Sequence, residues 1–162
     1  PNKSDKIRLN KIAFFVEFAY IFHKERPLSK AEYAAIGNGA VIDSYDPILK
    51  KMQKSGKVKL DGYIVRPLKS PDASIPEELP SFIDPLVKKY SLLSNEELIS
   101  LSHSTDSYKI TTNNEKTMGK IIDKKLALLE TFFCEDGIAE DEIDENKLPI
   151  IDKKKLVRYA TK

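Results

Sequence analysis

The sequence predicts a mainly α, α+β domain: a compact helical body around a central hydrophobic helix, with one small antiparallel β-hairpin near residues 57–66. Three observations carry this prediction. Residues 11–22, KIAFFVEFAYIF, are apolar on almost every side at helical spacing, as in a helix enclosed by other helices. Helix-start signals recur along the chain, at Ser4 or Asp5, at Ser29 with Glu32, and at Ser94 with Glu97. In residues 57–67, KVKLDGYIVRP, Val58 and Leu60 alternate with lysines and Ile64 alternates with Tyr63 and Val65 around Asp61-Gly62, the clearest hairpin signal in the chain.

The first helix runs from Ser4 or Asp5 to about Glu25, where Pro27 stops it. Glu17 and His23 are its polar exceptions. A carboxylate on so apolar a helix must find donors, stay exposed or take up a proton. Glu17 therefore reads as a structural carboxylate paired inside the fold or at its rim, with contact to a partner as the alternative. A second, short helix is expected over 28–36, with Ser29 as N-cap and Glu32 completing a capping box. Gly37-Asn38-Gly39 turns the chain into a third helix, about Ile42 to Ser55, with Ile48, Leu49 and Met52 on one stripe. Gly56 ends that helix in the left-handed conformation. In the hairpin, Asp61 and Gly62 are expected to supply two positive-φ residues.

Four prolines between residues 67 and 80 mark an exposed connection. A fourth helix fits Ser81 to Leu92, with Phe82, Leu86, Val87 and Tyr90 inward and Pro85 in its first turn. The Ser94–Glu97 box opens a helix carrying Leu98, Ile99 and Leu101 toward His103. Residues 120–133, KIIDKKLALLETFF, show helical spacing at Ile121, Leu128 and Leu129 and predict a further amphipathic helix. Beyond Cys134 the composition shifts. Glu135 to Glu145 holds seven acids in eleven residues, and the chain closes on the basic DKKKLVRYATK. The expected division is a domain over 1–134 and an acidic-then-basic segment over 135–162.

The totals bound the function. Among 162 residues, 27 basic and 25 acidic side chains nearly cancel, which argues against a chain whose main task is to coat nucleic acid. The single cysteine rules out an intrachain disulfide and suits a reducing, cytoplasmic compartment. The longest apolar-rich run, Ile12 to Phe22, is eleven residues with Glu17 inside it, too short to span a membrane. A chain that opens on Pro1 suits either a trimmed chain or the later part of a longer protein.

Chemical motifs are scarce. A dinucleotide fingerprint needs a third glycine where Ile42 stands, and a phosphate loop needs a Gly-Lys-Ser/Thr ending that is missing. Ser102, His103 and Asp106 lie on one short segment without an oxyanion-hole sequence, a poor basis for a catalytic triad. Two histidines and one cysteine make a transition-metal site improbable, and the acidic tract lacks the ligand spacing of a calcium loop. No catalytic, cofactor-binding or metal-binding residue is expected. The order helix, Gly turn, helix, hairpin also fits a winged-helix reader of DNA. Lys50, Lys51, Lys54, Lys57, Lys59 and Arg66 would meet phosphates, although Asp43 and Asp46 stand where base contacts are usually made.

Two stretches together resemble a known family. Residues 9–58, LNKIAFFVEFAYIFHKERPLSKAEYAAIGNGAVIDSYDPILKKMQKSGKV, followed by residues 93–108, LSNEELISLSHSTDSY, are similar to the SocA-like antitoxins, the Panacea domain. The resemblance extends over about residues 9–112. The family turn usually reads Gly-Pro-Val where this chain has Gly39-Ala40-Val41, and Tyr108 stands where a tryptophan usually follows Ser-His. What the resemblance implies is a non-enzymatic antitoxin of a bacterial or phage pair, whose partner is a cognate protein toxin bound directly. Some relatives instead deliver the toxin to a Clp-type protease, and others contact DNA through a separate N-terminal domain. On this reading the candidate partner-binding residues are Tyr33, Asn38, Asp43, Tyr45, His103 and Tyr108. The acidic segment 135–145 has a second expected use, as an RNA mimic entering a basic cleft of the toxin.

Overall fold

The structure is a computed structural model, and it describes residues 4–70, 75–76 and 78–135. Helix α1, Lys6–Lys24, passes through the middle. Asp5 caps it by accepting from the Arg8 amide at 2.8 Å, and Glu25, in the left-handed region, closes it on the Ile21 carbonyl. Because α1 is apolar all round, it needs cover on every side. Helices α3 (Glu78–Ser91) and α4 (Asn95–Ser104), a β-hairpin and a 3-10 turn at Lys124–Leu129 provide it. Phe14, Phe15, Phe18 and Ala19 are completely buried. Aromatic rings fix their packing: Phe15 stacks on Tyr90 at 4.5 Å, and Phe18 meets Tyr33 edge-on at 5.7 Å. Such pairs add about 0.5–1.5 kcal/mol each beyond burial.

The expected helix over 28–36 is not formed. Its last residues are strand β2, Tyr33–Ile36, paired antiparallel with β3, Gly39–Ile42, through the two-residue loop Gly37-Asn38. The capping-box residues are engaged elsewhere. Ser29 donates its hydroxyl to Glu17 at 2.6 Å, and Glu32 offers its carbonyl to the Asp43 amide at 2.8 Å. A short strand β6, Lys120–Ile121, completes the sheet in the order β3-β2-β6. The predicted helix over 120–133 is thereby replaced by β6 and two 3-10 turns, Lys124–Leu129 and Phe132–Glu135.

Helix α2 spans Tyr45–Lys54 and starts three residues later than expected, because Ile42 belongs to β3. Gly56, at φ 68°, ends it as predicted. The predicted hairpin forms as β4, Val58–Asp61, and β5, Ile64–Pro67. Its loop is Gly62-Tyr63, so only Gly62 takes a positive φ and Asp61 ends the strand. Strand β1, Ser4–Asp5, adds a third member in the order β1-β5-β4. A satellite core of Leu49, Val58 and Val65 joins this sheet to α2.

In α3, Leu86 and Tyr90 are buried as predicted, whereas Val87 lies at the surface. Pro85 falls inside the helix, not in its first turn, because α3 begins at Glu78. It sits on an exposed face of the helix. The Ser94–Glu97 capping box forms fully, with Ser94 N–H donating to Glu97 at 2.7 Å and Glu97 N–H to Ser94 Oγ at 3.2 Å. Helix α5, Asp106–Thr112, was not anticipated. Its start is fixed from outside its own sequence: the buried Glu130 accepts from the amides of Asp106 at 2.9 Å and Ser107 at 2.8 Å. Asp106 returns the contact to the Thr131 amide and hydroxyl, which holds its carboxyl below the usual range. The acidic tract beyond Glu135 and the basic end lie outside the described residues.

Candidate functional site

The β2–β3 hairpin is held by side chains from three helices. Strand β3 is an edge of its sheet, and the backbone groups on its outer side would otherwise be unpaired. Asn10 Oδ1 accepts from the Ile42 amide at 2.9 Å. Ser102 Oγ, from α4, accepts from the Ala40 amide at 3.1 Å, and Lys11 Nζ donates to the Ala40 carbonyl at 2.6 Å. On the other side of the sheet, β2 takes the amides of Gly119 and Ile122, each at 2.7 Å. Tyr108 of α5 donates its hydroxyl to the Ile36 carbonyl at 2.7 Å, and Tyr33 anchors the far end on the Ala13 carbonyl at 3.1 Å. The result is a short hairpin with a fixed register and an exposed tip at Gly37-Asn38.

Lys11 is 1% exposed. Burial pulls its ammonium down to a pKa of about 7, since desolvation penalises the charged form. Gly39 explains how lysine, serine and hairpin fit together. At φ +82° it has no side chain, and a Cβ there would stand 1.9 Å from Ser102 Oγ and 2.9 Å from Lys11 Nζ. The turn glycine thus serves close approach as well as conformation.

The candidate residues divide by exposure. Asn38 and Asp43 are exposed, at the tip and just beyond β3. Tyr45 and His103 are half-buried; Tyr45 opens α2 and packs on the satellite core. Tyr33 and Tyr108 are buried in the core, so what they shape is the position of the hairpin and not its outer surface. Burial first, then a nearby carboxylate (Glu17 for Tyr33, Glu115 for Tyr108), pushes both phenols above their ordinary pKa. His103 stacks on Tyr108 with ring centres 4.6 Å apart and pairs through Nδ1 with Glu115 at 2.8 Å. Its Nε2 is buried without a hydrogen-bond partner among the described residues. The two stretches that the sequence separates by some sixty residues therefore meet: Ser102 reaches Ala40 and Tyr108 reaches Ile36.

Glu17 is 2% exposed and accepts from the Ser29 amide, the Ser29 hydroxyl and Lys124 Nζ, the last at 2.6 Å. It is a structural carboxylate that ties α1 to the 28–32 stretch and to the 3-10 turn. Ser102, His103 and Asp106 do not converge, because Ser102 is engaged with the hairpin and Asp106 with Thr131. The clamp residues Asn10 and Lys11 carried one sequence signal, two adjacent polar side chains directly before the apolar run Ile12 to Val16.

The helix–turn–helix needed by a DNA reader is not formed, since a strand precedes the Gly turn. Lys59 and Arg66 face each other across β4–β5, while Lys50, Lys51 and Lys54 belong to α2. Among the described residues, no group of three His, Cys, Asp or Glu is placed to hold a metal ion, and no helix is long and apolar enough to cross a membrane.

Comparison with curated proteins and with solved structures gives no match. Comparison with family models gives one. The model of the antitoxin SocA-like, Panacea domain matches residues 9–109, which include α1 from Leu9 onward, the clamped hairpin, α2, the second hairpin, α3, α4 and the first half of α5. With well over half of its length so matched, the chain belongs to the SocA-like antitoxin, Panacea domain family.

Proposed function

We propose that this protein is an antitoxin that neutralises a cognate protein toxin by binding it directly, and that it does so by occlusion and without catalysing a reaction. The observation that carries this reading is the clamped hairpin within the family match. Six side-chain and backbone groups from outside fix its register, yet its tip and the turn after it stay exposed. A rigid, solvent-facing projection loses little freedom when it binds, and this favours recognition. Asn38 at its tip, Asp43 just beyond β3, Tyr45 at the start of α2 and the half-buried His103 of α4 are the groups assigned to the contact. Tyrosine suits such a contact because it offers an apolar body and a polar end.

The test is co-expression with the product of the adjacent gene, followed by co-purification and a growth assay. The expected result is a stable complex and restored growth. Combining Asp43→Lys with Tyr45→Ala is expected to weaken the complex by tenfold or more while the fold persists. Unchanged affinity in a folded double variant rejects these residues as the contact. A partner that disappears only when this chain and a Clp-type protease are both present assigns the adaptor role in place of occlusion.

A further inference from the structure

Strands β2 and β3 are apolar along their whole length, YAAI against GAVI. Strands of that composition are ordinarily covered on both faces, but here the hydrophobic core covers only one. Tyr33, Ala35, Ala40 and Ile122 join the main core, and Ile42 packs against it. Alternation puts Ala34, Ile36, Val41 and Ile121 on the opposite face. The register aligns Val41, Ala34 and Ile121 in one row across all three strands. None of these four residues joins the two packed clusters, but they differ in exposure: Ala34 is buried, Ile36 and Val41 are half-buried, and Ile121 is 47% exposed, so the face offers Val41 and Ile121 on either side of a sunken alanine.

Two acids flank this row along the strands. One step beyond the Tyr33–Ile42 pair, the Asp43 amide donates to the Glu32 carbonyl at 2.8 Å. The two residues therefore oppose each other at the open end of the hairpin, on the same face as Ala34 and Val41. Both are exposed, and neither has an ion-pair partner among the described residues. Like charges directly opposite are unfavourable in a sheet, so an incoming cation would relieve this arrangement.

We infer that the outer face of the β3-β2-β6 sheet is the docking surface for the toxin. The occupant is a toxin segment that presents aliphatic or aromatic side chains beside an arginine or lysine. Its apolar groups cover the Val41–Ala34–Ile121 row, and its cation sits between Glu32 and Asp43. An apolar centre with a charged rim is the usual division of labour in an interface. The inference rests on the antitoxin reading and adds the chemistry of the partner.

Two measurements test it on the full chain. In the first, amide NMR spectra follow titration with a synthetic ten-residue peptide of alternating arginine and leucine, and with the same peptide carrying glutamate for arginine. The expected shifts are confined to residues 32–36, 39–43 and 120–122, and binding is at least tenfold weaker for the glutamate peptide and for the Glu32→Lys/Asp43→Lys variant. In the second, the adjacent-gene product is the probe. Ile121→Glu and Glu32→Lys/Asp43→Lys are each expected to weaken the complex at least tenfold, whereas Leu92→Glu, at an 82% exposed position elsewhere, leaves it unchanged. The acid pair is at the surface, so its variant keeps the fold if Ile121→Glu does not.

If the gene product binds but neither variant weakens it, the surface is wrong and the antitoxin reading stands. If the gene product never binds but the arginine peptide maps to this face, the antitoxin reading falls and the surface stands. Displacement of the same amides on dilution, or on Lys153→Glu/Arg158→Glu substitution without any peptide, overturns the proposal. The face would then belong to a second copy or to the basic end of the chain itself.

Discussion

Replacing Gly39 with alanine tests the clamp most directly. The new Cβ would stand 1.9 Å from Ser102 Oγ, 2.9 Å from Lys11 Nζ and 3.1 Å from Lys11 Cε, on a residue at φ +82°. The left-handed backbone alone costs an alanine about 1–2 kcal/mol. The serine hydroxyl can swing aside, but only by giving up the Ala40 amide, which is buried with it. An orphaned buried amide costs about 1–3 kcal/mol more. The sum is about 2–5 kcal/mol, a large share of the stability of an ordinary domain. For a chain of this size it lowers the melting temperature by roughly 5–20 °C. Gly37 is the control: its backbone is ordinary and an added Cβ meets nothing within 4 Å. Gly37→Ala is therefore expected to stay within about 0.5 kcal/mol of the parent. Both variants are compared by urea unfolding and thermal melting. Equal losses at the two glycines, or no loss at Gly39, refute the clamp as drawn.

Other outcomes follow from the same geometry. Lys11 titrates near 7 in the fold, below its ordinary 10.5, so between those values the unfolded chain holds a proton that the native chain has released. Stability should thus rise with pH across that window, and Lys11→Met should flatten the rise; a pH series of urea melts for both proteins decides it. Lys124→Met strips Glu17 of its cation inside the core and is expected to destabilise by about 2–4 kcal/mol, and a change under 0.5 kcal/mol in chemical unfolding rejects the pairing as structural. Glu130→Ala leaves two amides at the start of α5 without an acceptor, for a loss of about 1–3 kcal/mol. Hydrogen exchange should localise that loss to residues 106–112, and unaltered protection there contradicts the cap.

Whatever was written in short-range code could be read without the fold. The aromatic helix at the centre, the Ser94–Glu97 start, the Gly56 stop and the Val58–Pro67 hairpin each follow from side chains within a few positions of one another. Where the code was ambiguous, distant partners decided. Ser29 and Glu32 have the spacing of a helix start, but Glu17 takes the serine and Asp43 takes the glutamate carbonyl, so Tyr33–Ile36 becomes a strand. Residues 120–133 have helical spacing, yet their polar groups are drawn to Glu17, to β2 and to the start of α5, and the segment breaks into a strand and two turns. The candidate surface shows the same division. The residue types around Gly37–Tyr45 and Ser102–Tyr108 were legible, and so was their family. That Tyr33 and Tyr108 lie within the core, while Glu32 and Asp43 stay exposed, depended on strand register and on which face α1 covers. Burial and pairing are properties of the assembled chain, because a side chain's neighbours in space are set by closures many residues long.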